Sequence, residues 1–183
     1  MKIIRLAYYQ GMNIFCESLG YDPEDLSWVG SGDFGNAYLT PDGKIIKETS
    51  SESEVRLAKD LEGKTGRFPK VHKVETISGS GYILQDFADD VGSQEIEDMF
   101  YMASEMIEQQ GLDLTYVSAL DSDEFPDDYK NPEFINFLDE LNEIVRLYAS
   151  IGVSAPDISP DNLGYIDGKL VAIDIDDRLK SYY

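Results

Sequence analysis

The chain has 183 residues with 42% apolar content, 36 acids, 15 bases and a net charge of −21. This is enough to bury a core as one domain or as one domain in two lobes, and a single cysteine, Cys16, excludes an internal disulfide. No apolar run reaches the ~18 residues that cross a bilayer and no secretory pattern opens the sequence, so we expect a cytoplasmic protein without membrane contact.

Residues 1–25 are predicted to form an N-terminal helical segment. From residue 3 to about residue 19 the apolar side chains recur at helical spacing, and Gly20 supplies a stop signal. Cys16 lies on or near the face of this helix, which favours a small buried side chain.

A glycine-rich loop, Gly30-Ser31-Gly32-Asp33-Phe34-Gly35, follows a short predicted strand at Trp28-Val29. A dinucleotide-binding glycine motif opens a helix. Here a second strand, a Pro41-Asp42-Gly43 turn and a third strand ending in Lys47 follow instead. The loop is therefore predicted to belong to a β-hairpin.

The next predicted helix begins at Ser51 and contains Glu54. Two interpretations stay open for Glu54: a capping box, because Ser51-x-x-Glu54 has its spacing, or an ion pair with Lys47. Two further strands are predicted at Phe68–Val74 and Tyr82–Gln85. The chain up to about residue 88 is therefore mainly sheet with one helix.

The remainder changes to helical periodicity, with helices predicted around residues 96–107 and 134–148, the second capped by Asn131-Pro132. Residues 85–143 carry 18 acids against Lys130 alone, a charge that repels nucleic acid and excludes its direct binding. The acidic insert at about residues 111–131 is either a solvated loop or a docking surface for a basic partner.

A polar motif follows the second of these helices. Asp157 and Asn162 stand five residues apart, and an apolar hairpin that ends in Asp174 comes next. Both aspartates also have a purely structural interpretation, since Asp157 could cap a turn and Asp174 could end a strand. Neither reading explains the spacing together with the hairpin.

Taken in order, the glycine hairpin, the strand lysine, the helix glutamate, the Asp-x-x-x-x-Asn spacing and the hairpin aspartate resemble the protein-kinase-like superfamily over roughly residues 28–177. The compact chain is similar to small serine/threonine kinases of lytic phages. The resemblance implies an α+β, bilobal protein-kinase-like fold: a β-rich N-lobe over residues 26–88 and a reduced α-helical C-lobe over residues 89–183.

The resemblance also implies ATP and Mg²⁺ as cofactors. It gives phosphate positioning to Lys47, orientation of that lysine to Glu54, the catalytic base to Asp157, and the metal to Asn162 and Asp174. Further nucleotide-binding residues would come from the glycine loop and from a hinge that faces adenine: Gly30, Ser31, Gly32, Asp33, Phe34, Gly35, Gln85, Asp86 and Phe87.

Departures from the family pattern moderate this expectation. Ala155-Pro156 replaces His-Arg, and Ser159 stands where protein kinases usually hold a lysine. Removing one positioned cation or donor at such a site typically costs on the order of 10²–10³ in rate. Nine residues follow Asp174, so we expect no activation segment and no later helices of the C-lobe.

Two functions follow as hypotheses. The first is an ATP/Mg²⁺-dependent phosphotransferase, most simply a minimal serine/threonine kinase or autokinase, with nucleotidyl transfer as a subsidiary version. The second is a kinase-like binding protein, a pseudokinase, whose acidic C-lobe engages a basic partner, such as a protein that binds DNA.

Overall fold

The computed structural model describes residues 2–109, 131–153 and 158–174. The protein is a mixed α+β chain, with an antiparallel sheet in its N-terminal part and helices elsewhere. It divides into two compact units. Of the described residues, 2–65 and 69–87 belong to the first unit, and 66–68 together with those from 88 onward belong to the second.

The first unit is built on a five-stranded antiparallel sheet in the described residues. Its strands stand in the order β1-β2-β3-β5-β4. A helix precedes the sheet in sequence, and a second helix follows β3. The elements are α1 (Lys2–Leu19), β1 (Ser27–Ser31), β2 (Gly35–Leu39), β3 (Lys44–Thr49), α2 (Glu52–Leu61), β4 (Val71–Ile77) and β5 (Ser80–Asp86).

The two helices pack on opposite faces of this sheet. On one face, Phe15 and Cys16 of α1 join a buried cluster with Ile46, Tyr82 and Leu84. On the other face, α2 lies over Gly81, where an added Cβ would meet Val55 Cγ2 of α2 at 2.1 Å. Successive side chains of a strand point to opposite faces. Along β3 and β5, side chains therefore alternate between the face covered by α1 and the face covered by α2.

One buried hydrogen bond lies beneath α1. The Tyr82 hydroxyl donates to Glu48 Oε1 at 2.9 Å, and both side chains are buried. The pKa of Tyr82 is raised well above its usual value by burial and by this bond to Glu48. The helix approaches so closely that a Cβ added at Gly11 would lie 2.3 Å from the Tyr82 hydroxyl oxygen.

The second unit contains α3 (Gln94–Gln109), α4 (Pro132–Ser150), β6 (Leu163–Ile166) and β7 (Lys169–Ala172), with a 3-10 turn at Pro160–Asn162. The side-chain oxygen of Asn131 accepts the Glu133 N–H and caps α4. A buried cluster joins α3 and α4: Ala103, Met106, Phe134 and Leu138.

Most sequence-based expectations for these elements are confirmed. The N-terminal helix, the hairpin turn at residues 40–43, the cap of α4 and the β6–β7 hairpin form where predicted. One boundary was wrong, since β4 begins at Val71 and not at Phe68. Residues 66–68 belong to the second unit, where the Arg67 carbonyl accepts the Ala172 N–H. Within the described ranges, no helix combines the length and apolarity needed for a membrane crossing.

The close approach of α1 to the sheet gives a first prediction. Alanine in place of an exposed helical glycine usually stabilises by ~1 kcal/mol, but Gly11→Ala forces the helix off Tyr82 and is expected to cost about 1–3 kcal/mol of unfolding free energy. The Cys16 thiol, whose pKa is raised to about 11 by burial and by Asp22, should then react faster with a thiol reagent.

Urea unfolding and thiol-labelling rates measure both effects. The exposed helix position Asn13 supplies the control, since Asn13→Ala should leave the labelling rate unchanged. A Gly11→Ala protein that is more stable than the parent would contradict this packing of α1.

Candidate functional site

The predicted phosphate loop is a tight connection between β1 and β2. The Gly32 N–H donates to the Gly35 carbonyl at 3.0 Å, and the Phe34 carbonyl accepts from both the N–H and the hydroxyl of Ser50, at 2.8 and 2.9 Å. These two bonds fasten the loop to the residue after β3. Ser31, Asp33 and Phe34 remain exposed.

The three glycines of the loop meet different surroundings. At Gly35 an added Cβ would lie 1.6 Å from the Glu48 carbonyl oxygen, so glycine is required there by the close approach of β2 to β3. At Gly30 and Gly32 a Cβ would meet nothing within 4 Å, and neither residue has a positive φ. Packing within the protein therefore requires glycine at position 35, whereas it would allow a larger residue at positions 30 and 32.

Lys47 and Glu54 form an ion pair. Lys47 Nζ lies 2.6 Å from Glu54 Oε1, and their side chains are only 19% and 10% exposed. The hydroxyl of Ser51 accepts the Glu54 N–H, which caps α2, while the Ser51 N–H donates to Thr49 Oγ1. Half of the anticipated capping box is thus present, and the Glu54 carboxylate contacts Lys47.

The predicted hinge residues lie at the end of the first unit. Gln85 is buried in β5, and the Asp86 N–H donates to the Lys70 carbonyl at 3.1 Å. The Asp86 carboxylate accepts a hydrogen bond from His72 Nε2 at 2.6 Å. Phe87 lies beyond the strand with its side chain 39% exposed.

The second unit places Asn162 beside the residue that precedes Asp174. The Asn162 N–H donates to the Ser159 carbonyl at 3.0 Å and closes the 3-10 turn, and the Ile173 N–H donates to the Asn162 carbonyl at 2.9 Å. The backbone therefore brings the two predicted metal-ligand positions close together, although the whole β6–β7 hairpin separates them in sequence.

Asp157, the predicted catalytic base, lies outside the described residues. So do Ala155-Pro156 and nearly all of the acidic insert at 111–131, of which only Asn131 is described. The roles given to them stay predictions.

The predicted metal ligands are of the type that Mg²⁺ takes, because an amide oxygen and a carboxylate are hard oxygen donors. Within residues 2–109, 131–153 and 158–174, no group of three or more His, Cys, Asp or Glu side chains is arranged to hold a metal ion. The assignment of a metal ion to Asn162 and Asp174 therefore stays a prediction.

An ionic network that the sequence analysis did not predict supports the strand leading to Asp174. Arg67 donates to Glu140 Oε1 at 2.8 Å and to Glu143 Oε2 at 2.6 Å, and the Arg67 carbonyl accepts the Ala172 N–H at 3.0 Å. Burial lowers the pKa of Arg67, but the bonds to Glu143 and Glu140 outweigh it and raise that pKa above its usual value.

Two buried side chains of α4 contact the same strand. Glu140 Oε2 accepts the Leu170 N–H at 3.1 Å, and the Tyr148 hydroxyl donates to the Asp174 carbonyl at 2.8 Å. The sequence carried a partial signal for Glu140, because it borders the apolar stripe of a predicted helix, and a carboxylate that is buried there requires a partner. None identified Arg67 as that partner.

Comparison with known proteins gives one kind of match. The sequence matches no protein-family model and no curated protein. Solved structures do match, among them the crystal structure of Rad53 1-466 in complex with AMP-PNP, with 15% sequence identity and a TM-score of 0.44. That match covers 82% of this chain and 38% of the Rad53 chain, so this chain spans less than half of the structure it matches.

The contrast between the loop glycines gives a second prediction. Gly35→Ala should lower the unfolding free energy by about 1–3 kcal/mol, because the new Cβ must push β2 away from β3. Gly32→Ala should change it by less than about 0.5 kcal/mol, as for other open surface positions. Urea unfolding of both variants measures the difference, and equal losses would contradict the geometry of this loop.

Proposed function

We propose that the protein is an ATP- and Mg²⁺-dependent phosphotransferase that acts on serine or threonine of a protein or on itself. The Lys47–Glu54 ion pair carries the proposal. A lysine on an inner strand of the sheet, held by a largely buried glutamate and following a glycine hairpin, is the arrangement that kinases use to position ATP phosphates. A solvated surface lysine has no need of such a partner.

The glycine loop supports the same proposal. Glycine reduces stability because it adds conformational freedom to the unfolded chain and contributes no side-chain packing. At Gly30 and Gly32 neither backbone conformation nor neighbouring atoms offset this cost. A ligand that approaches the backbone of the loop closely would account for both residues, and a phosphate chain is such a ligand.

In this proposal the chain's own groups divide the work. The Lys47 ammonium, oriented by Glu54, binds the phosphates; the oxygens of Asn162 and Asp174 hold the metal; and Asp157 accepts the proton of the substrate hydroxyl. Bound Mg²⁺ would neutralise charge that develops on the transferred phosphoryl group. Ser159 in place of the usual lysine leaves less positive charge to assist transfer, so slow turnover is expected.

A second candidate function rests on charge. Residues 88–109, which include α3, carry seven acids and no base, and Asp89, Asp90, Glu95 and Asp98 among them are exposed. Such a surface suits a basic protein partner, with affinity that falls steeply as salt rises. In that case the protein would bind nucleotide only as a structural ligand, or would not bind it.

Nucleotide binding gives the third prediction. ATP with Mg²⁺, at ~100 times the dissociation constant, should add about 2.7 kcal/mol of stability, a rise of roughly 5–10 °C in the unfolding temperature. Asp174→Ala should lose the part that depends on Mg²⁺, and Gly32→Ala should weaken binding of the nucleotide itself. Differential scanning fluorimetry measures all three proteins.

The absence of any shift at millimolar nucleotide would refute the phosphotransferase proposal and favour the basic-partner candidate. A shift that Gly32→Ala does not alter would remove the argument from the loop glycines.

Phosphoryl transfer gives the fourth prediction. Asp157→Ala should abolish transfer from γ-labelled ATP to a mixed protein substrate or to the protein itself, while the ATP-dependent thermal shift persists, because the base acts on the acceptor hydroxyl and not on the nucleotide. Equal transfer by the variant and the parent would show that Asp157 is not the base. Label that arrives from α-labelled ATP would identify nucleotidyl transfer instead.

A further inference from the structure

Helix α4 contacts the strand leading to Asp174 at two separate points. Near the start of β7, Glu140 Oε2 accepts the Leu170 N–H at 3.1 Å. Beyond its end, the Tyr148 hydroxyl donates to the Asp174 carbonyl at 2.8 Å. Tyr148 is 1% exposed and Glu140 is 8% exposed, so water competes little for either bond.

The spacing of the two contacts restricts the conformation of the chain between them. Glu140 and Tyr148 are eight residues apart on a helix, a rise of ~12 Å at ~1.5 Å per residue. Leu170 and Asp174 are four residues apart, and the chain bends at Ile173 before it reaches Asp174. The two contacts therefore hold both ends of this short segment, and with them the bend between them.

A third contact prevents the strand from sliding along the helix. The Arg67 carbonyl accepts the Ala172 N–H at 3.0 Å, midway between the two anchor points. The Arg67 guanidinium is in turn bonded to Glu140, the residue that makes the first anchor. Glu140 therefore binds β7 directly through Leu170 and indirectly through Arg67.

We propose that Tyr148 and Glu140 are positioning residues that set the location and orientation of the Asp174 carboxylate, with Tyr148 as the closer of the two. The inference rests on the proposed function, in which Asp174 is a metal ligand. Holding the carbonyl oxygen of Asp174 fixes the backbone that bears its side chain. Mg²⁺ requires near-octahedral geometry at ~2.0–2.1 Å, so small displacements of this carboxylate weaken the ion's binding.

The test compares three variants with the parent by the Mg²⁺ concentration that gives half of the Mg²⁺-dependent thermal shift in the presence of a non-hydrolysable ATP analogue. Tyr148→Phe removes one hydroxyl from a buried ring. It should raise that concentration by about tenfold, within the range seen when groups that orient metal ligands are changed. The shift with nucleotide alone should match that of the parent.

Glu140→Gln is the second variant, and it keeps an oxygen for the Leu170 N–H while it removes the charge that holds Arg67. A smaller rise is expected, because only one route to β7 is weakened. Met106→Ala is the matched control, since it opens a cavity in the α3–α4 cluster and lowers stability without altering a group that contacts β7. It should leave the half-saturating Mg²⁺ concentration unchanged.

The outcomes separate the two claims. If the parent shows no Mg²⁺-dependent shift, the proposed function fails and this inference falls with it. If the parent shows the shift while Tyr148→Phe and Glu140→Gln both retain the parent's half-saturating concentration, the proposed function stands and the positioning role is overturned. A rise as large in Met106→Ala would mean general loosening of the unit and would also overturn it.

Discussion

The period-two alternation of β3 is the constraint on which the first unit depends. Because β3 is an inner strand with a helix over each face, neighbouring residues must serve different purposes. Ile46 and Glu48 lie beneath α1 with Tyr82, whereas Lys47 pairs with Glu54 of α2. A shift of one residue in register would exchange the two faces and place the Lys47 ammonium in the apolar cluster under α1. Burial of α1 and orientation of the lysine are therefore consequences of one strand register.

In the second unit, polar contacts fix the position of the strand that leads to Asp174. Asp174 follows a short strand that, alone with its hairpin partner, would be only marginally stable. Arg67, Glu140 and Tyr148 each make a hydrogen bond to the backbone of residues 170–174. Removing one partner of the largely buried Arg67–Glu140 pair is costly because a charge is left unpaired. The net stability that such a network adds is small, because the cost of removing the charges from water offsets their attraction. Its main effect is to favour one geometry of the strand.

Particular residues show how far the sequence leads. Local patterns were sufficient for α1, the 40–43 turn, the Asn131 cap and the hairpin before Asp174, since each depends on residues within a few positions of one another. They were insufficient at Phe68, which lies close to strand-forming residues in sequence yet belongs to the second unit. They also treated the loop glycines as equivalent, whereas a neighbouring strand requires Gly35 and leaves Gly30 and Gly32 in open space.

The sequence by itself determined the type and order of the elements and the positions of the polar residues along them, because hydrophobic period, caps and turn residues act over short distances. The tertiary structure decided which partner each polar group takes. Glu54 had two possible partners in sequence, and its carboxylate contacts Lys47. Arg67 finds Glu140 across 73 positions of the chain. Such pairs depend on the distance between packed elements, a quantity that no local pattern contains.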